Sequence, residues 1–165
     1  MLEAQYVPEI DVLIAVAKWL HSNDWTIESL SIPSGQGIGS ASSSSKLRAE
    51  LAAVGIEDKN IRFVSKGEDI RARQGSNLWK IECKGLSSGT SQTDRNNLDR
   101  AIASAVSYYT QRERLRLGLA LPEWYKNFFP DRLPQALREA IELWVFLYCG
   151  KDEVYEFAPD EKIPV

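Results

Sequence analysis

The chain has 165 residues, of which 44% are hydrophobic and 26% are charged, and its formal net charge is −3. A chain of this length can bury a hydrophobic core without disulfides or a structural metal, and its size is that of one domain. No run of about 18 apolar residues is present, and the N-terminus lacks a basic segment followed by an apolar one. We therefore expect one cytoplasmic domain over residues 1–165, with no membrane span, no signal peptide and no association with membranes.

The first helix is predicted to begin at Pro8, a residue suited to the first helical position. Glu9 and Asp11 lie in its first turn, where negative charge suits the positive end of the helix. The apolar residues that follow at helical spacing predict a helix largely buried against a sheet. A glutamate at a helix start needs no role in a site, and the residues alone favour this interpretation of Glu9.

A strand over 25–32 follows, and Pro33 ends it. Residues 34–45 hold three glycines and six serines, which is too little apolar surface to fold alone and predicts a mobile loop. The alternative is a loop whose amides and hydroxyls touch phosphates. A short helix over 46–54 comes next, and residues 61–65 lead into a hairpin.

The hairpin is predicted from two segments in which apolar and charged residues alternate, 69–73 and 79–84. Between them, the Gly-Ser pair at 75–76 suits a two-residue turn, because glycine tolerates the positive φ that such turns need. A turn centred on this pair sets residues whose numbers sum to 151 opposite each other. Asp69 is then expected opposite Glu82.

This register would place Asp69, Glu82 and Lys84 on one face of the hairpin, with the Cβ atoms of the two acids about 5 Å apart. Like charges placed opposite each other repel, and a divalent cation held by oxygen ligands is the usual way to stabilise them. The apolar residues point the other way, so we expect one face packed on a core and one open to a ligand. The alternative is an ordinary ion pair between Glu82 and Lys84 on a solvated strand.

At these residues the chain resembles the PD-(D/E)xK phosphodiesterase superfamily, the fold shared by many restriction enzymes, repair nucleases and junction resolvases. In that family, an acid on one strand and an Asp/Glu-x-Lys on the next bind magnesium and position water. The resemblance implies that Asp69 is the first acid, Glu82 the second and Lys84 the lysine. It also implies Mg²⁺ or Mn²⁺ as the cofactor, with the backbone carbonyl of Cys83 as a further metal ligand.

Two further positions bear on this resemblance. A glutamate of the first helix can join the metal site in the family, which makes Glu9 an additional candidate ligand. Proline often precedes the first acid in the family, whereas Glu68 stands there in this chain. Because the motif is short, the hairpin around it and the elements on either side strengthen the assignment.

A second loop rich in serine and glycine, 86–93, leads to a helix predicted over 95–110, which Thr93 or Asp94 can cap. Its inward residues are predicted to be Leu98, Ile102, Ala105, Val106 and Tyr109. In the resembled family this helix flanks the active site, and its polar residues assist there or touch the substrate backbone.

Positive charge is concentrated around the hairpin. Residues 62–116 hold eleven lysines and arginines against six acids, a net charge of +5, whereas residues 123–165 carry a net charge of −4. A local basic face is enough to attract phosphates, because charges are screened beyond about 10 Å at ordinary salt. By the resemblance, Gln92 and Arg95 near the start of the helix are candidate nucleic-acid contacts, with ordinary surface residues as the alternative. Further candidates are Arg71, Arg73 and Lys80.

The C-terminal part is predicted to hold an amphipathic strand over 115–121, a short aromatic helix over 124–129, a helix opened by Pro134 with Leu137 inward, and a strand pair over 145–148 and 154–157. The resulting fold class is α/β with a central mixed sheet flanked by helices. By the resemblance, its α-β-β-β-α-β core is restriction-endonuclease-like.

Cysteine and histidine are too few for several other kinds of site. Cys83 and Cys149 fall on predicted apolar strand faces, where a reduced, buried thiol is expected. His21 is the only histidine, so multi-histidine metal sites are excluded and a serine or cysteine hydrolase would depend on that one residue. It lies near a helix end, where histidine commonly caps the helix or is exposed.

The sequence thus predicts a Mg²⁺- or Mn²⁺-dependent nuclease that acts on DNA phosphodiesters through Asp69, Glu82 and Lys84. The alternative is a non-catalytic protein of the same fold that binds nucleic acid or a partner chain. The acidic C-terminal part and its aromatic residues leave a protein partner or a homodimer open.

Overall fold

A computed structural model of the chain describes residues 5–33, 39–112 and 114–165. Within these residues the strands form one seven-stranded mixed sheet, flanked by helices, which confirms the α/β class. The strands are β1 (Thr26–Ser31), β2 (Arg62–Val64), β3 (Ile70–Gln74), β4 (Asn77–Cys83), β5 (Leu115–Pro122), β6 (Leu143–Tyr148) and β7 (Val154–Phe157). The α-helices are α1 (Glu9–Ser22), α2 (Gly39–Ala53), α3 (Ser91–Ser107), α4 (Phe129–Arg132) and α5 (Gln135–Ala140), with 3-10 turns at Asp58–Asn60 and Glu123–Phe128.

The strand order in the sheet is β2-β1-β3-β4-β5-β6-β7. Strand β1 is parallel to β2, and β4, β5 and β6 are mutually parallel, whereas β3 runs antiparallel to both β1 and β4. The carboxyl ends of β1, β2, β4, β5 and β6 therefore lie at one edge of the sheet, where β3 begins. We call this edge the carboxyl edge.

Each face of the sheet packs on its own hydrophobic cluster. On one face, buried residues of α1 and α2 pack against apolar side chains of β1, β3 and β4. On the other, α3 and the aromatic 3-10 turn pack against β5 and β6. The prediction of a largely buried first helix is confirmed, since eight residues of α1 are buried. Among the described residues, no helix is both long and apolar enough to cross a membrane.

The predicted hairpin is confirmed in its register. Ile70 pairs with Ile81 and Ala72 with Trp79, so that paired residue numbers sum to 151. The turn contains Gly75 at a φ of 58°, a left-handed conformation that glycine adopts without a steric penalty. The period-2 pattern and the turn residues together were therefore enough to fix which residues face each other.

The predicted boundary of α2 is wrong. The mobile loop was expected over 34–45; residues 34–38 lie outside the described part of the chain, but residues 39–45 form the first half of α2. Serine has only an intermediate helix propensity, so local composition did not favour this helix. Leu47 and Leu51 of the same helix are fully buried, and tertiary packing of this kind supplies most of a helix's stability in a protein.

The start and the inward face of α3 also differ from the prediction. The helix begins at Ser91, and its N-cap is Thr90, whose side chain accepts a hydrogen bond from the Thr93 amide at 3.3 Å. Ala101 takes a buried position, whereas Val106 is 37% exposed and Tyr109 is 66% exposed. Tyr109 points outward because the helix ends at Ser107, two residues before it.

Three further expectations concern the C-terminal part. Strand β5 is buried on both faces, and not amphipathic, because alternate residues pack into the hydrophobic clusters on the two sides of the sheet. Leu137 is 38% exposed, and its neighbour Arg138 is buried instead, donating hydrogen bonds to the carbonyls of Ala158 and Glu161 at 3.0 and 2.6 Å. The terminal strand pair is confirmed as β6 and β7, and Cys149 just beyond β6 is half-buried and free.

Candidate functional site

Three carboxylates and one ammonium lie together at the carboxyl edge. Glu82 belongs to β4 and Lys84 follows that strand, while Glu9 is the first residue of α1. Asp69 lies just before β3, and its amide donates to the Ile81 carbonyl at 3.0 Å. This bond falls outside the hairpin register, in which Ile81 pairs with Ile70. Asp69 nevertheless reaches Glu82, since the two side chains share a hydrogen bond.

The carboxylate of Asp69 is held by the backbone of the neighbouring strand. Its Oδ2 accepts a hydrogen bond from the Cys83 amide at 2.8 Å. Burial, the charge of Glu82 and the more distant Glu9 together raise the pKa of Asp69 to about 8, although the Cys83 bond favours the charged form. At neutral pH Asp69 therefore holds its proton for much of the time.

Glu82 is half-buried, and it accepts a hydrogen bond on Oε2 from the hydroxyl of Tyr108. Burial raises its pKa, against the lowering effect of the Tyr108 bond, while the charge of Glu9 raises it further. A hydrogen bond between the two carboxyl groups raises the pKa of Asp69 and lowers that of Glu82.

Glu9 reaches the site because α1 begins next to the end of β4. Its Oε2 lies 3.5 Å from Nζ of Lys84. The close approach depends on Gly85, since a Cβ there would be 2.4 Å from the Val7 carbonyl oxygen and 2.5 Å from the Glu9 amide nitrogen. Glu9 therefore contacts Lys84 of the site in addition to beginning α1, and its role as a metal ligand stays a prediction.

Replacing Gly85 with alanine is expected to destabilise the fold by about 2–3 kcal/mol, because the added methyl group meets backbone atoms that cannot rotate away. Chemical denaturation of the variant beside Ser88→Ala, at an exposed position of the same loop, measures the effect. Unchanged stability of Gly85→Ala would show that α1 does not approach this closely.

The donor set fits a hard divalent cation in its chemistry, because such cations prefer carboxylate oxygens. Asp69, Glu82 and Glu9 outnumber the neighbouring ammonium of Lys84, and burial leaves the excess negative charge poorly solvated. Across the described ranges, however, no group of three histidine, cysteine or acidic side chains stands arranged to hold a metal ion. Each acid is instead engaged by a protein partner.

The candidate nucleic-acid contacts on the hairpin are occupied by other partners. Arg71 and Arg73 both form ion pairs with Glu28 of β1, and Arg71 also contacts Glu68. Lys80 is only 8% exposed, and its ammonium donates to the Tyr108 carbonyl at 3.1 Å. Its charge is turned into the fold, so the face expected to be open to a ligand is partly covered by the end of α3.

The two candidate contacts near the start of α3 lie nearer to solvent. Gln92 is exposed and donates to Asn96 on the next turn at 3.0 Å. Arg95 is half-buried, with its guanidinium 5.5 Å from the ring centre of Phe128. The roles of Gln92 and Arg95 as contacts to a substrate remain predictions. The metal-ligand role of the Cys83 carbonyl also remains a prediction, because the contact that Cys83 makes to Asp69 uses its amide.

Two residues of the site were not anticipated. Tyr108 was not singled out, because only the end of α3 in three dimensions brings its hydroxyl to Glu82. Glu28 was not singled out either, although an acid inside the first predicted strand offered a weak signal. No family model, no curated protein and no solved structure matches the chain. Its function is therefore inferred from the site itself.

Proposed function

We propose that the chain is a Mg²⁺- or Mn²⁺-dependent nuclease that hydrolyses DNA phosphodiesters. The observation that supports this most is the meeting of Asp69, Glu82 and Lys84 at one end of two adjacent strands, with Glu9 beside them. Costly burial of like charges has no evident benefit to stability, so a functional reason for keeping them together is favoured.

The order of elements supports a restriction-endonuclease-like fold as part of the proposal. Taken in sequence, α1, β1, β3, β4, α3 and β5 have the predicted order α-β-β-β-α-β. Helix α2 and the edge strand β2 are then an insertion between β1 and β3. The four core strands are adjacent in the sheet, in the order β1-β3-β4-β5.

In this function Asp69 and Glu82 would hold the cation, and Glu9 would assist them. A bound divalent cation polarises the scissile phosphate and stabilises charge on the attacking and leaving oxygens. Positive charge next to Asp69 would also favour loss of its proton, which its neighbours otherwise disfavour. Lys84 would orient the attacking water, help to deprotonate it, or stabilise charge in the transition state.

The proposal is tested by incubating the purified protein with DNA in Mg²⁺, in Mn²⁺ and in a chelator. We expect cutting in either metal and none in the chelator. Glu82→Gln, which keeps the side chain's size but removes its charge, should lower cutting at least about 10³-fold, as loss of a metal ligand removes most of the metal's contribution. Glu57→Gln, at an exposed acid near the 3-10 turn, is the matched control. Cutting that survives both the chelator and Glu82→Gln would exclude this function.

The second candidate is a regulatory protein of the same fold that binds without cutting. One observation favours it: each acid already has a protein partner, as Cys83, Tyr108 and Lys84 engage Asp69, Glu82 and Glu9. Calorimetric titration with Mg²⁺ separates the two functions. If the cluster is purely structural, Asp69→Asn should not change the affinity for Mg²⁺. If it is a nuclease site, the wild type should bind Mg²⁺ and Asp69→Asn should lose that binding.

A further inference from the structure

Tyr108 connects the end of α3 to the candidate site. Its hydroxyl donates to Glu82 Oε2, and its backbone carbonyl accepts a hydrogen bond from Lys80 Nζ at 3.1 Å. Lys80 and Glu82 are two residues apart on β4 and so point to the same face of the sheet. The three residues therefore form a set of contacts that joins one strand to the end of one helix.

The burial of Lys80 indicates that this set of three contacts is a specific part of the fold. A buried ammonium is costly unless hydrogen bonds compensate it, and Lys80 finds Thr110 Oγ1 at 3.5 Å in addition to the Tyr108 carbonyl. The last carbonyls of a helix lack partners within it, and a cation is favourable there. Since Tyr108 directly follows α3, Lys80 fixes the helix end relative to the strand that carries Glu82.

Glu82 requires a partner that sets its direction. Its neighbours Asp69 and Glu9 are both acids, and repulsion from them favours turning the Glu82 carboxylate towards solvent. A phenol hydroxyl supplies one directional donor and no charge, so it holds one oxygen while leaving other lone pairs of the carboxylate free for a ligand.

We propose that Tyr108, fixed in place by Lys80, is a positioning residue that orients Glu82 for binding a divalent cation. This inference rests on the proposed function and deepens it. It assigns to Lys80 a role inside the fold, in place of the predicted contact with nucleic acid. It also predicts that a residue distant in sequence from the hairpin controls the metal affinity of the site.

The test measures Mn²⁺ affinity by calorimetry, together with kcat and KM for DNA, in Tyr108→Phe. The exposed neighbour Tyr109 supplies the matched control, Tyr109→Phe. Removing a partner that orients a metal ligand typically lowers metal affinity or activity about 10- to 100-fold, so we expect a fall of this size in Mn²⁺ affinity and in kcat at limiting Mn²⁺. KM for DNA should stay within about twofold, since the proposed role of Tyr108 acts through Glu82 and involves no contact with the substrate. Tyr109→Phe should match the wild type.

Lys80→Met provides a second, independent variant. It should weaken Mn²⁺ binding in the same direction, and adding it to Tyr108→Phe should cost little more, because residues acting through one chain of contacts are not additive. Circular dichroism shows whether each variant is folded. If Tyr108→Phe is not folded, the Mn²⁺ affinity of Lys80→Met decides the test. Wild-type Mn²⁺ affinity in a folded Tyr108→Phe would overturn this inference and leave the proposed function standing. Absence of both Mn²⁺ binding and cutting in the wild type would overturn both.

Discussion

Replacing Lys84 with methionine is expected to lower DNA cutting by about 10²- to 10⁴-fold, the range for loss of one positioned proton-transfer group. Methionine keeps the apolar part of the side chain and removes only the ammonium. That ammonium lies 3.5 Å from Glu9, and the Lys84 side chain as a whole is two-thirds shielded from solvent. It shares its strand face with Glu82, so it is well placed to act on groups that enter the site there.

The same substitution should leave metal binding intact or strengthen it. Removing a positive charge from among Glu9, Asp69 and Glu82 makes the local potential more negative, which favours a cation. Lys84→Met should therefore separate cutting from Mn²⁺ affinity, whereas Glu82→Gln should lose both. The matched control is Lys66→Met, at an exposed lysine between β2 and β3. Cutting by Lys84→Met at the wild-type rate would remove this residue from the proposed mechanism.

The hairpin could be predicted from the sequence because its register can take only a few values. A slip of one residue would send every side chain of a strand to the opposite face, so the apolar alternation and the turn at Gly75 left one consistent pairing. Extending that pairing by one residue predicted that Asp69 and Glu82 meet, and their side chains do share a hydrogen bond. Lys84 then followed from the two-residue repeat of side-chain direction along the strand.

The surroundings of the hairpin could not be predicted in the same way. Whether Lys80 is exposed depends on where the end of α3 lies, and nothing in the strand pattern determines this. Arg71 and Arg73 resembled phosphate contacts because the sequence does not show that β1 brings Glu28 beside both of them. Charge counted along a segment therefore overstated the positive charge that is free to meet a ligand.

Glu9 illustrates a third case, in which local and tertiary reasons coincide. An acid in the first turn of a helix is favoured by the helix dipole alone, so its sequence position gave no reason to expect contact with Lys84. The contact arises because Gly85 lets α1 begin against the end of β4. The sequence signal for this contact was thus the glycine at position 85. Its significance can be recognised only once the element that packs against it is known.

The free energy of unfolding should fall as the pH rises from about 4 to about 8, and Asp69 should account for much of the change. The folded-state pKa of Asp69 is about 8, well above its ordinary value of 3.8. Between these values the folded chain keeps a proton that the unfolded chain has lost, so stability declines as pH rises. Asparagine resembles the protonated carboxyl and can donate to Glu82. Since one pKa unit corresponds to about 1.4 kcal/mol, Asp69→Asn should therefore be several kcal/mol more stable than the wild type near pH 8 and nearly equal to it near pH 4.

Urea denaturation at several pH values measures this difference, with Asp131→Asn, at an exposed acid of α4, as the matched control. Repeating the series with Mg²⁺ adds a second comparison. A cation that binds only the folded wild type stabilises it by mass action, by about 2.7 kcal/mol at one hundred times its dissociation constant, and Asp69→Asn should gain little. Parallel stability curves for wild type and Asp69→Asn would contradict the raised pKa. A wild type that Mg²⁺ does not stabilise near pH 8 would count against a metal site, because there the carboxylates are most in need of a cation.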